Sequence, residues 1–180
     1  VVFVVGLIEQ TSGYNLQSSG CVAIGHQAGN QSQGIDSVAI GILAGYSNQI
    51  GQGTAIGGYA GQYNQGSYST AVGWYAGHSS QGAVCVAIGP VAGAYNQGSL
   101  AVAIGHYAGT NTQGQYAIAV GNFAGYISQG EYGIAIGSQA GANTQGTNAI
   151  AIGAEWYDSG TATTYVAPGY CLQSANAIAI

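Results

Sequence analysis

Apolar and polar positions alternate in short runs along most of this chain, and the runs return at a fixed interval. Val38-Ala39-Ile40 is followed by Gly41, and Ile150-Ala151-Ile152 by Gly153. The same glycine recurs at 25, 41, 57, 73, 89, 105, 121, 137 and 153, a spacing of 16 throughout. Ala-Gly follows at a fixed offset from Ala28-Gly29 to Ala140-Gly141, and a Gln recurs at 33, 49, 65, 81, 97, 113, 129 and 145. Gly comes after each Gln except Gln49, where Ile50 stands and the glycines move to Gly51 and Gly53.

Alternation with period two predicts strands, and the glycines supply turn conformations that a Cβ forbids. A period this short cannot hold a helical hairpin, which takes more than about 30 residues, but it accommodates two short strands and two turns. The expected fold is therefore all-β: a parallel β-solenoid of about nine 16-residue coils over residues 21–153. At roughly 4.8 Å per coil the stack is on the order of 40 Å long. Residues 1–20 read as an N-terminal strand and cap, and 154–180 as a loop insertion, Glu155-Trp156-Tyr157-Asp158 within it, followed by a C-terminal strand.

Each column of the stack has its own chemistry. One runs Val38, Thr54, Thr70, Val86, Val102, Ile118, Ile134, Ile150, and another, two residues on, Ile40, Ile56, Val72, Ile88, Ile104, Val120, Ile136, Ile152. These two share one side of the strand and are expected to form the interior. The column between them is invariant, with Ala39, Ala55, Ala71, Ala87, Ala103, Ala119, Ala135 and Ala151, and its same-side neighbour is always small, from Cys21 and Ser37 to Ala149. A flat face of small residues suits close approach, so the Ala column is expected to pack one chain against another. The Gln column reads as a stacked amide ladder. Ser, Asn or Thr always precedes it, which fits a turn bonded to its own backbone.

Bulky residues occupy the remaining columns: Tyr59, Tyr75, Val91, Tyr107 and Phe123 in one, Tyr68, Leu100, Tyr116 and Tyr132 in another. Tyr59, Tyr75, Tyr107, Tyr116 and Tyr132 are either a ligand platform, for carbohydrate or a partner, or cross-coil packing partners.

Composition narrows the function. Lys, Arg and Met are absent and charged residues make up 3% of the chain, so the cations that bind nucleic acid, phosphates or anionic membranes are missing. Nothing approaches transmembrane length, and a strand-like start without Met reads as a processed product or the ordered part of something longer. The three cysteines, Cys21, Cys85 and Cys171, do not make a disulfide framework. His26 and His106 lie five coils apart and cannot share a metal, no regular Asp ladder is present for calcium, and no Ser/His/Asp set has recognisable context. Asn30-Gln31-Ser32 is a single glycosylation sequon. No enzymatic activity, metal or cofactor is expected.

Ser37-Val38-Ala39-Ile40-Gly41 and Asn148-Ala149-Ile150-Ala151-Ile152-Gly153 resemble the repeats of YadA-like head domains in trimeric autotransporter adhesins, and the Ala-Ile-Gly arrays of phage and giant-virus surface proteins. The resemblance spans residues 21–153. It implies a left-handed β-roll, three chains side by side, and display outside a cell or virion, with Val38 and Ile40 in the core and the Ala39 column supporting close packing.

The two ends echo each other: Gly13-Tyr14-Asn15-Leu16-Gln17-Ser18 is matched by Gly169-Tyr170-Cys171-Leu172-Gln173-Ser174. Val1, Val2, Phe3, Val4 and Val5 at one end and Ala177, Ile178, Ala179 and Ile180 at the other are candidates for end-to-end contact, the terminal strand of one protomer completing the sheet of the next. The expected function is a structural, self-assembling extracellular fibre or fibre head, its partner a further copy of itself in a trimer or filament. The alternative is a trimeric adhesin head that binds glycans or a host surface through its tyrosines. Ice binding is a more distant third, because a flat Thr array is missing.

Overall fold

The computed structural model describes residues 17–153 and the strand Ile178–Ala179. Every described strand is short and every pairing is parallel. One sheet stacks Val22–Ile24, Val38–Ile40, Thr54–Ile56, Thr70–Val72, Val86–Ile88, Val102–Ile104, Ile118–Val120, Ile134–Ile136 and Ile150–Ile152, then Ile178–Ala179. The nine strands from Val22 to Ile152 enclose eight full 16-residue turns, and like positions pair throughout, as in Ala39↔Ala55 and Ala103↔Ala119. A second sheet stacks Gln31–Gln33, Ser47–Gln49, Tyr63–Gln65, Ser79–Gln81 and Tyr95–Gln97. It continues through single bridges at Gln113 to Ser128–Gln129 and Thr144–Gln145. The fold is the expected parallel β-solenoid.

Its interior is not the expected one. The Ala column is fully buried: Ala39, Ala55, Ala71, Ala87, Ala103, Ala119, Ala135 and Ala151 are all 0% exposed in the isolated chain. Ala44, Ala60, Ala76, Ala92, Ala108, Ala124 and Ala140 of the Ala-Gly motif join them, as do Ser37, Ser69, Cys85, Ala101, Ala117 and Ala149. The Ala column is thus the core of one chain and not a surface between chains, and the Val/Ile columns of Val38 and Ile40 lie on the outside. Alternation along a strand decides which residues share a side, while the room available decides which side is inward. Here the two sheets are so close that one Ala per strand fits between them where two β-branched side chains do not.

The largest side chains inside are the glutamines, each at most 3% exposed. They reach across the interior to the other sheet. Gln49 Nε2 donates to the carbonyls of Val38 and Gly53, both at 3.0 Å, and Gln129 Nε2 to Ile118 (2.7 Å) and Gly133 (3.0 Å). The first of these two ties recurs for all eight glutamines. Bonds from one Gln to the next occur at Gln49 to Gln65 (3.0 Å) and Gln81 to Gln97 (3.2 Å). The glutamines are therefore cross-ties within each coil more than a ladder along the axis.

The cross-tie explains the Ala-Gly motif. A Cβ added to Gly45 meets Gln49 Oε1 at 2.7 Å, and Gly45 has a φ of +52°. The glycine is needed both for its left-handed backbone and for the space its missing side chain leaves for the amide. The marker glycine is needed for stacking: at Gly41, φ +127°, a Cβ meets the carbonyl oxygen of Gly57 one coil on at 2.7 Å.

Two expected outcomes follow for stability. Gln97→Leu keeps the volume but removes the bonds that Gln97 Nε2 donates to the carbonyls of Val86 and Ala101 at 2.9 and 3.3 Å, the Ala101 carbonyl keeping the Val86 N–H at 3.0 Å. It is expected to lower stability by about 1–3 kcal/mol, read from urea unfolding. Gly93→Ala, at φ +52° and with its Cβ 2.7 Å from Gln97 Oε1, is expected to destabilise as well. The two losses are expected to add to less than their sum, because both act on the same seat.

Candidate interaction surface

Turning the Val/Ile columns outward gives the solenoid one apolar face. Val22, Ile24, Ile56, Ile88, Ile104, Ile136 and Ile152 are 37–49% exposed, and the remaining members of the two columns are half-buried. Thr54 and Thr70 are the polar members. The outer side of the second sheet is different: Gln31, Asn48, Asn64, Ser80 and Asn96 are exposed there beside Tyr63 and Tyr95. Asn48 Nδ2 donates to Asn64 Oδ1 at 3.1 Å. The described carboxylates, Asp36 and Glu131, are on neither of the two Val/Ile columns. One broad side of the rod is thus β-branched and the other polar. A shallow depression lined by Ser18, Ser32, Asn48, Ile50 and Asn64 brings no titratable group with it.

Two columns of bulky residues follow the corners of the coil, and their backbone was not legible in the sequence. Tyr59, Tyr75, Val91, Tyr107 and Phe123 have φ of 56–61° at one corner, and Tyr68, Val84, Leu100, Tyr116 and Tyr132 have φ of 57–60° at the other. Such a conformation costs a non-glycine residue roughly 1–2 kcal/mol. Contact between neighbouring coils offsets it: ring centroids are 4.9 Å apart for Tyr59–Tyr75, 4.9 Å for Tyr107–Phe123 and 4.8 Å for Tyr116–Tyr132. Pairs of this kind contribute about 0.5–1.5 kcal/mol beyond the area they bury.

This geometry divides the candidate platform. Tyr59, Tyr75 and Tyr107 stand at one corner and Tyr116 and Tyr132 at the other, so the five do not form one surface. The rings also stack along the axis, at 11° for Tyr107–Phe123 and 3° for Tyr116–Tyr132. The ring faces on which a sugar stacks are turned to one another.

A further aromatic cluster surrounds His78. Its ring stacks on Tyr75 at 4.4 Å and 15°, and meets Tyr63 and Tyr95 edge-on at 5.5 and 5.9 Å. Its Nδ1 is buried with no hydrogen-bond partner. Burial among these rings lowers the His78 pKa below its ordinary 6.5.

The remaining candidates do not assemble into a site. Among the described residues no group of three or more His, Cys, Asp or Glu is placed to hold a metal. The described thiols hydrogen-bond to backbone, Cys21 Sγ to the Gly34 carbonyl at 2.9 Å and Cys85 Sγ to that of Gly98 at 3.0 Å, and burial pushes the Cys85 thiol up. No helix among the described residues is long and apolar enough to cross a membrane. Ile178 and Ala179 pair with Ile150 and Ala151 of their own chain, in register, and add a strand to its sheet. Val1, Val2, Phe3, Val4, Val5, Ala177, Ile180 and the Glu155–Asp158 segment lie outside the described residues. Comparison with protein-family models, curated proteins and solved structures finds no match to this chain.

The His78 environment has a pH consequence. A histidine whose pKa is depressed on folding binds fewer protons in the native state, so its contribution is complete above pH 6.5 and is lost as pH falls below it. Thermal melts from pH 7.5 to 5 are expected to show falling stability below pH 6.5, and His78→Phe is expected to flatten that dependence.

Proposed function

We propose that this chain is a structural module whose copies pack side by side through the Val/Ile face, as a subunit of a fibre or fibre head displayed outside a cell or virion. The observation that carries this reading is the pair of outward β-branched columns running the length of the stack. Seven of these residues are 37–49% exposed and the other eleven are half-buried, so the open face runs from the first coil to the last. A stable interface takes about 800 Å² from each partner. Exposed apolar patches larger than a few hundred Å² mark interaction sites on soluble proteins.

The physical character of the face supports a second copy as its occupant. Val and Ile are stiff at χ1, so little side-chain entropy is lost when they are covered. The face carries no charge whose desolvation would oppose burial. Its regular rungs offer ridges and grooves of equal spacing, which a second identical face can match. The resemblance to YadA-like head repeats adds a side-by-side arrangement of three chains.

Light scattering on a sizing column, with electron micrographs of the same fractions, tests the proposal. The wild-type chain is expected to run as an oligomer. Ile88→Asn with Ile104→Asn, at positions 39% and 37% exposed, is expected to give monomers that keep their strand circular dichroism. A monomeric wild type at micromolar concentration, or a variant that assembles as the wild type does, overturns it.

A further inference from the structure

We propose that Tyr116 and Tyr132 form an oxidative coupling site, at which a peroxide and a haem peroxidase join the two rings into an intrachain dityrosine. The site does not rest on the Val/Ile interface and exists in a single chain. The two rings are 4.8 Å apart between centroids and 3° from parallel, and are 40% and 49% exposed. Their backbones are fixed one coil apart, Tyr116 N–H donating to the Ser99 carbonyl and Tyr132 N–H to that of Gln115, both at 3.0 Å. Two phenols are thus held in van der Waals contact, with their ring edges open to an oxidant.

Other pairs of described tyrosines lack one of these features. Tyr59 and Tyr75 are tilted by 35°, and Tyr75 is also covered by His78 and Trp74. Tyr107 stacks on Phe123, which has no phenol to oxidise, and meets Tyr126 only edge-on at 83°, as Tyr46 meets Tyr63 at 86°. Tyr68 has Gln52 and Val84 as its column neighbours, and Tyr63 and Tyr95 belong to strands separated by that of Ser79–Gln81. Without Lys no side-chain amine is available for cross-linking, and the described Cys85 thiol is fully buried.

The reaction balances without further reagents. Each phenol gives up one hydrogen atom, as a proton and an electron, to the peroxide-charged haem. The two phenoxyl radicals join through one ortho carbon of each ring, forming a carbon–carbon bond. The hydrogens on those carbons then move to the oxygens and restore both phenols. The net loss of two hydrogens reduces one hydrogen peroxide to two waters. The exposed ring edges let the rings swing from stacked to edge-joined about their side-chain torsions.

A Glu-specific protease provides the test, because Glu131 lies between the two tyrosines. The whole chain is treated at high dilution with hydrogen peroxide and a haem peroxidase, denatured, and cleaved. The fragments carrying Tyr116 and Tyr132 are expected to remain joined, two hydrogens lighter than their sum, with dityrosine fluorescence. In Tyr132→Phe, which keeps the ring stack, they are expected to separate, while Tyr68→Phe behaves as wild type. The proposal is overturned if the wild-type fragments separate, with or without fluorescence, or if they remain joined in Tyr132→Phe.

Discussion

The glutamine that crosses the interior sets the width of this molecule, and most other features of the coil follow from it. A carboxamide reaching from one sheet to backbone carbonyls on the other fixes how far apart the sheets stand. At that separation the inward position of each Val/Ile strand has room for a methyl group and little more, which accounts for an Ala column without exception. The Ala-Gly motif answers the same constraint, since the amide oxygen occupies the place of a side chain on that glycine. Six of these oxygens have no hydrogen-bond partner, at Gln33, Gln49, Gln81, Gln113, Gln129 and Gln145. The amide NH₂ groups carry the binding, and contact with the glycine backbone, the weak C–H type included, is what the oxygens receive.

An interior this thin buries little apolar surface per residue, so the stack relies on repetition. Backbone bonds run from coil to coil at the corners as well as along the strands, for example Gly45 N–H to the Ala60 carbonyl at 2.9 Å. The turns are tight. In the coil that starts at Gly41, five residues have positive φ, at Gly41, Leu43, Gly45, Asn48 and Gln52. Before Gln33, Gln49, Gln65, Gln81 and Gln97, Ser or Asn accepts this conformation through its short polar side chain. At the corners, Tyr59 and Tyr75, Tyr107 and Phe123, and Tyr116 and Tyr132 adopt it while packing on one another across coils.

The narrow interior also explains the surface. Side chains that a wider solenoid would bury are turned outward, giving one apolar face and one polar face on a rod with almost no charge. It is this apolar face that the proposed side-by-side packing would cover. The same outward turn brings phenols into register at the corners, where the coil spacing becomes a ring spacing.

The period, the all-β class, the parallel stacking and the grouping of residues into columns were legible in the sequence, because a 16-residue repeat with period-two runs leaves few other solutions. Which columns faced inward was not. Val38 and Ile40 are the larger apolar residues and Ala39 the smaller, so hydrophobicity alone assigns the first pair to the core. The separation of the sheets reverses that assignment, and it depends on a reach of Gln49 across the interior that no local pattern reveals. The left-handed backbone at Tyr116 and Tyr132 was equally silent, since aromatic residues rarely adopt it. Sequence determined the repeat and its columns, because these depend on local spacing. The tertiary structure alone decided inside from outside, because that depends on how much volume two closed sheets leave between them.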